Sequence, residues 1–333
     1  MKLIIPMAGR GTRLRPHTHT TPKPLLPIAG TMMIERIVDT FSKTLNQDIE
    51  EIAFVLGDFG KEVEQKLTDM AKRFNAKPSI YYQKKAMGTA DAVYCAADSM
   101  QGEIIVAFAD TLFETAGKVE ISDADAVIWL KEVENPSSFG VAKMEGDRIS
   151  GFVEKPSEPV SNLAIIGVYY FRKGEDLRDE LAHIIDNDLK SERGEYELTA
   201  AIDALLEKGN VFKPATVDTW LDCGTIRSWI DTTNHVLSGE AATPLEKISH
   251  EGCKIHPPVF IGDNVTLKHS TIGPNVSIES GAIVEQSTVE DAIINSNASV
   301  KGCELSNSSV GAFARVNAFS GSLHIGDHSI VGE

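Results

Sequence analysis

A chain of 333 residues, 42% hydrophobic and 24% charged, is long enough for two domains and ordinary in composition for a globular fold. Its net charge of −16 argues against general nucleic-acid binding, which needs a basic face, and no apolar run reaches the length of a membrane span. Pro6 and Arg10 interrupt any secretory pattern. The four cysteines (Cys95, Cys223, Cys253, Cys303) form no CxxC pair, so free thiols in a reducing cytoplasm are expected and a zinc site is not.

Residues 2–7 read as a short buried strand feeding a glycine loop. The loop begins a cationic island: residues 1–34 carry five Lys/Arg and no acid, and Arg10, Arg13, Arg15 and Lys23 follow the strand closely. Two like unit charges about 5 Å apart at an effective dielectric of about 20 repel by roughly 3 kcal/mol, so a site that joins two phosphorylated ligands needs several cations. Helices are expected over 31–45 and 60–74, with strands at 51–57 and 79–83. Thr89 is placed to cap a helix over 90–100, and residues 103–109 form a strand that ends at Asp110. Such alternation predicts an α/β fold, a Rossmann-like and mostly parallel sheet whose ligands lie beyond the carboxyl ends of the strands. The middle adds a strand at 126–131, a hairpin of 139–144 with 148–153, and a buried strand at 163–171. Helices at 174–187 and 196–208, a last strand at 211–215 and a helix over 225–237 complete this part.

After Gly239 the texture changes. Ile261, Ile278, Ile294 and Val310 recur every 16 or 17 residues, with aliphatic residues between them every five or six. Neither a helix nor a meander has that period; it is the repeat of a hexapeptide β-helix, here a short left-handed one of about four coils. The expected organisation is therefore residues 1–238 as the α/β domain, 239–253 as linker and 254–333 as β-helix.

Gly9 and Gly11 alone do not make a dinucleotide fingerprint, which needs a third glycine opening a helix and an acid about 20 residues on. What remains is a loop with two positions free of side-chain bulk, able to bring N–H groups near phosphate oxygens, and Arg13 able to grip one bidentately. The segments Ala8-Gly9-Arg10-Gly11-Thr12-Arg13-Leu14-Arg15-Pro16 and Pro22-Lys23-Pro24-Leu25-Leu26-Pro27 resemble the signature of the sugar-1-phosphate nucleotidylyltransferases. The resemblance continues through Gln83, Gly88-Thr89-Ala90-Asp91-Ala92, Phe139-Gly140-Val141, Glu154-Lys155-Pro156, Arg193-Gly194-Glu195 and Trp220-Leu221-Asp222-Cys223-Gly224-Thr225.

That resemblance implies attack of a sugar-1-phosphate oxygen on the α-phosphorus of a nucleoside triphosphate, with pyrophosphate leaving. It implies Arg13 and Lys23 on the triphosphate, with Ala8, Gly9, Gly11, Thr12, Gln83, Gly88 and Thr89 around the nucleotide. It further implies Mg²⁺ on Asp110 and Asp222, Lys155 on the sugar phosphate, and Gly140, Glu154, Asn162, Gly167 and Trp220 around the sugar. Arg13, Lys23, Asp110 and Lys155 are the implied catalytic set. The short Gly9-Arg10-Gly11 form is similar to the glucose-1-phosphate uridylyltransferase branch, and the order of the later motifs looks more like the thymidylyltransferases. Gln83 can pair its amide with the edge of uracil or thymine, so dTTP or UTP is the expected donor.

Plainer readings stand beside these. Asp110 and Asp222 can be turn caps, Lys155 a solvated hairpin lysine, and Arg193 with Glu195 a loop ion pair. His17 and His19 read as polar loop residues, and His256, His269, His324 and His328 as coil-surface residues. The alternatives are another base or sugar in the same family, a bifunctional nucleotidyl/acyltransferase, or a silent sugar-nucleotide sensor. The β-helix is expected to join subunits into a homo-oligomer.

Overall fold

The structure is a computed structural model, and it describes every residue except 46, 116, 120, 122, 138, 157, 159, 240 and 333. Position 240 of the expected linker and position 333 of the expected β-helix domain thus lie outside the described residues. Two compact units form. The first holds Met1–Gly9 and Ile37–Trp220, and the second holds Arg10–Arg36 and Leu221–Glu333.

The first unit is built on a nine-stranded sheet. Lys2–Pro6 lies between Glu51–Leu56 and Ile104–Ala107, parallel to both, and Lys77–Tyr82 extends this arm in parallel. Residues 3–6, 52–56 and 104–107 of the three central strands read as continuous apolar runs because both faces are covered, whereas Lys77–Tyr82 is partly exposed. Helix Lys61–Arg73 turns Val63, Leu67, Met70 and Ala71 inward at helical spacing, with Glu62 and Glu64 in its first turn and Lys72 and Arg73 in its last, where the helix dipole favours each sign. The other arm is mostly antiparallel: Leu163–Phe171 runs against Ile104–Ala107 and also against Ala126–Glu132, which Phe212–Thr216 joins in parallel. Gly140–Glu145 and Arg148–Glu154 form the hairpin read from Glu145-Gly146-Asp147. Thr111–Glu114 and Thr219–Asp222 are strands that the sequence pattern does not announce.

In the second unit the chain climbs in parallel coils from Lys254 to Val331. Ile261, Ile278, Ile294, Val310 and Ile325 stack in one column, and Leu267, Val284, Val300, Val316 and Val331 in another. One face is a five-stranded sheet, so there are five coils where the sequence period suggested about four. The discrepancy arises at the last coil, where Gly321 takes the place of an aliphatic beside Leu305. Coil corners need left-handed backbone, and Asn264, Asn275, Asn297 and Asn307 supply it at φ between 43° and 59°. Helix Ile226–Leu237 starts from a capping box in which Thr225 and Ser228 satisfy each other's backbone N–H groups. All four cysteines are free, and no described helix is long and apolar enough to cross a membrane.

Candidate active site

Three groups of the expected residues assemble in the first unit, at strand ends. Ala8 follows Lys2–Pro6, and Gln83 follows Lys77–Tyr82, its N–H bonded to the Leu56 carbonyl at 2.8 Å. The Gln83 side-chain amide donates to the Gly88 carbonyl (3.1 Å) and to Asp91 Oδ2 (2.8 Å). Because a carboxylate only accepts, Asp91 fixes which way this amide points and leaves Gln83 Oε1 as the outward acceptor. Gly88 has φ of 122°, and a side chain there would run into the Tyr196 backbone. Glycine is thus required twice, by conformation and by space. Gly88, not Thr89, caps helix Thr89–Tyr94; the Thr89 hydroxyl instead accepts from the Leu198 N–H (2.9 Å), at the start of helix Leu198–Glu207.

Asp110 lies three residues past Ile104–Ala107, in a turn where the Thr111 N–H reaches the Phe108 carbonyl and the Phe108 N–H bonds to the Gly167 carbonyl at 3.0 Å. Gly167 sits at an irregularity of strand Leu163–Phe171 with φ of 84°, which lets the Phe108 ring pack over it. The third group surrounds Gly140. A side-chain carbon at Gly140 would come within 2.9 Å of Glu154 Oε2, so glycine there makes room for that carboxylate. Lys155 has a left-handed φ of 44°, donates its N–H to the Phe139 carbonyl and holds its ammonium 3.5 Å from Glu154. Trp220 packs edge-on against Phe139 at 4.9 Å. Such an exposed ion pair is weak and is easily exchanged for a phosphate. Burial, then the nearby Glu154 charge, pushes the Tyr169 phenol up. The Asn162 amide donates to Glu132 Oε1 at 2.6 Å.

The second unit carries Gly11, Thr12, Arg13, Lys23 and Asp222. Gly11 has φ of 58°, and a side chain there would come within 3.1 Å of Lys23 Cβ and 3.2 Å of Thr18 Cγ2. The Thr18 hydroxyl and the Leu14 N–H both donate to the Gly11 carbonyl, closing a tight turn that presents Arg13 to solvent. Arg13 and Asp222 meet above Gly224: a side-chain carbon at Gly224 would lie 2.9 Å from Asp222 Oδ2 and 3.0 Å from Arg13 Nη2. Asp222 Oδ2 also accepts from the Gly224 N–H at 3.1 Å.

His17 is not the polar loop residue expected. It is 1% exposed, its ring edge-on to Trp229 at 5.1 Å and its Nε2 2.7 Å from Ser309 Oγ. His324 likewise is half-buried and bonded to Ser309, rather than a free coil-surface residue. Ser309, Asp327 and Glu279, which hold this loop, carried no local signal, because nothing in their own neighbourhood marks them as partners of residues some 250 to 300 positions earlier.

The metal chemistry can be tested on the donors present. Among the described residues no group of three or more His, Cys, Asp or Glu side chains could cage a metal. Magnesium does not need such a cage, since it is commonly held by one or two carboxylates, with water and substrate phosphate completing the shell. Asp110 and Asp222 are donors of that kind.

A family model described as nucleotidyl transferase matches residues 2–239. The bifunctional protein GlmU of Methanococcus maripaludis is 34% identical over 83% of this chain, which spans about 62% of that protein's length. The glucose-1-phosphate thymidylyltransferase of Streptomyces griseus is 28% identical, covering 99% of this chain and 98% of that one. A Bacillus anthracis structure assigned as a glucose-1-phosphate thymidylyltransferase superposes with a TM-score of 0.59 at 27% identity, over 72% of this chain and 98% of that one. The structure of a UDP-glucose pyrophosphorylase shares the fold, with a TM-score of 0.58 at 22% identity. From this match, which runs through the strand ends and loops just described, the chain belongs to the nucleotidyl transferase family.

Proposed function

We propose that the protein transfers a nucleotidyl group from dTTP or UTP to a sugar 1-phosphate, with glucose 1-phosphate as the expected acceptor, giving an NDP-sugar and pyrophosphate. The observation that carries this reading is the meeting of Arg13 and Asp222 above Gly224, where a cation for the leaving pyrophosphate stands beside a hard oxygen ligand. Arg13 and Lys23 hold the triphosphate and offset charge that gathers on the β- and γ-phosphates as the α-phosphorus–oxygen bond breaks. Lys155 holds the acceptor phosphate, whose oxygen forms the new bond to the α-phosphorus, while Glu154 accepts from sugar hydroxyls and Gly140 leaves that carboxylate its room. Mg²⁺, held by Asp110 and Asp222, supplies charge neutralisation when bound. Positioning and charge, rather than covalent catalysis, do the work in such transfers.

The Gln83 arrangement supports a base that presents an N–H to its remaining acceptor. Oε1 can accept the N3–H of thymine or uracil, whereas adenine N1 and cytosine N3 would face it with lone pairs; guanine, whose N1–H it could equally accept, is separated by the triphosphate panel. Pyrophosphate release with glucose 1-phosphate and each of dTTP, UTP, ATP, CTP and GTP tests this. At least tenfold higher kcat/KM with dTTP or UTP is expected; a preference for ATP or CTP would remove Gln83 as the base reader. No release with any triphosphate across a panel of sugar phosphates would sink the reaction itself.

Gly224→Ala should separate stability from activity. The atoms nearest the added methyl group are side-chain ends, so Tm should move little, but it displaces Arg13 and Asp222 together. We expect kcat/KM to fall about 10- to 100-fold. Unchanged activity would mean that neither group needs its present position.

The reading also places the enzyme in the cytoplasm, in line with its free thiols, and subunit association on the β-helix. A monomer in light scattering would remove the latter.

A further inference from the structure

Segment 10–36 is fastened to the last coils of the β-helix by several independent contacts within the second unit. His17 Nε2 lies 2.7 Å from Ser309 Oγ, which lies 3.0 Å from His324 Nδ1. The Asp327 carboxylate receives the Thr20 hydroxyl at 2.5 Å and the Thr21 hydroxyl at 3.4 Å on Oδ2, while Oδ1 accepts from the Ala312 N–H at 2.7 Å. Pro16 lies against Gly326, where a side-chain carbon would come within 3.1 Å of it.

The hydrogen-bond directions follow from the burial. His17 Nδ1 is buried without a partner, and a buried N–H left unbonded costs more than a buried lone pair. The favoured tautomer therefore keeps its proton on Nε2 and donates to Ser309, whose hydroxyl donates on to His324 Nδ1. His17, Thr20 and Thr21 lie on the chain between Arg13 and Lys23, so fixing them fixes the path that presents both cations. A cation displaced by about 1 Å from a transferring phosphate loses much of its effect.

We propose that Asp327 and Ser309, on the final coils of the β-helix, are positioning residues for the triphosphate loop. The β-helix is thereby a working part of the nucleotide site rather than an appendage. The inference rests on the reading of Arg13 and Lys23 as triphosphate ligands.

The test uses the full chain with Thr20→Val, Asp327→Ala and Asp327→Asn. Inorganic pyrophosphate binding is measured by calorimetry, alongside KM for dTTP or UTP and for glucose 1-phosphate. Thr20→Val and Asp327→Ala should weaken pyrophosphate binding and raise the triphosphate KM about fivefold to tenfold, leaving KM for the sugar phosphate unchanged. Asp327→Asn keeps an acceptor for Ala312, and its amide can donate to a rotated Thr20 hydroxyl, so it should stay within about twofold of wild type. Thr20 is exposed, so its variant reads the anchor even if Asp327→Ala fails to fold. Wild-type pyrophosphate affinity in Thr20→Val and in any folded Asp327→Ala overturns the proposal, as does an equal loss for both substrates. A wild type that binds pyrophosphate but releases none from any triphosphate removes the proposed reaction, and the binding constants still decide the positioning role.

Discussion

Asp222→Asn should lower Mg²⁺-dependent turnover on the order of 10³-fold while Tm stays close to wild type. The carboxylate is exposed on the chain and contributes little to packing, so its replacement by an isosteric amide leaves the fold intact. What it removes is a full negative charge from the proposed metal ligand, and with it part of the stabilisation of charge developing on the triphosphate in that reading. Asp110→Asn should behave alike. Arg13→Ala should also fall by 10² to 10³, but by another route, and raising Mg²⁺ separates the two. Excess metal should partly restore the Asp222→Asn variant by mass action and leave Arg13→Ala unrestored. Steady-state pyrophosphate release across a Mg²⁺ titration is the measurement. Full activity in either aspartate variant would take that residue out of the metal site, and restoration of Arg13→Ala by metal would mean that Arg13 serves the ion rather than the phosphates.

Much of the architecture is legible because it rests on periodicities. Residues 52–56 and Ile104–Ala107 are apolar throughout, and the β-helix repeat is written in Ile261, Ile278, Ile294 and Val310. The fifth coil escapes this reading because Gly321 replaces one aliphatic and the step from Val310 to Ile325 is shorter than the 16 or 17 residues of the earlier coils. Thr111–Glu114 escapes for another reason: it follows Asp110 after a single turn, and four residues are too few to show a period. Nor does local pattern show that Leu163–Phe171 runs antiparallel in the sheet, since a strand buried on both faces reads the same in either direction.

The candidate site divides along the same line. Arg13, Lys23, Asp110, Lys155 and Asp222 are legible in the sequence through the family resemblance, and their types suit the proposed transfer between phosphates, which needs cations and hard carboxylates. Their supports cannot. Gly88 is required by the Tyr196 backbone, Gly140 by the Glu154 carboxylate, and Gly224 by the space Arg13 and Asp222 share; each requirement is set by a neighbour in space. His17 is the sharpest case. In Arg-Pro-His-Thr-His it looks like a wet loop histidine, yet its partner is 292 residues away.

That burial has a consequence for acid stability. His17 is held down to about 4 from its ordinary 6.5, chiefly by burial; the nearby Asp327 charge opposes this and His324 adds to it. The unfolded chain takes up a proton near pH 6.5, while the folded chain refuses it until about pH 4. Between those values the unfolded state therefore binds more protons, and acidification favours unfolding. Stability should be fully present above pH 6.5, decline as pH falls towards 4 and level off below, by up to about 3 kcal/mol for a shift of this size. Carboxylates titrate in part of the same window, so the His17 share is read as a difference. His17→Gln keeps a donor for Ser309 and cannot charge. Denaturant unfolding of both proteins at pH 7.5, 5.5 and 4.2 should show the wild type losing ground to His17→Gln as pH falls. Parallel stability curves would mean that His17 meets water or a counter-charge in solution. Because the strain of a charged His17 falls on the segment between Arg13 and Lys23, that segment is the first part of the second unit expected to loosen in acid. The triphosphate KM should then rise below about pH 5 in the wild type and stay flatter in His17→Gln.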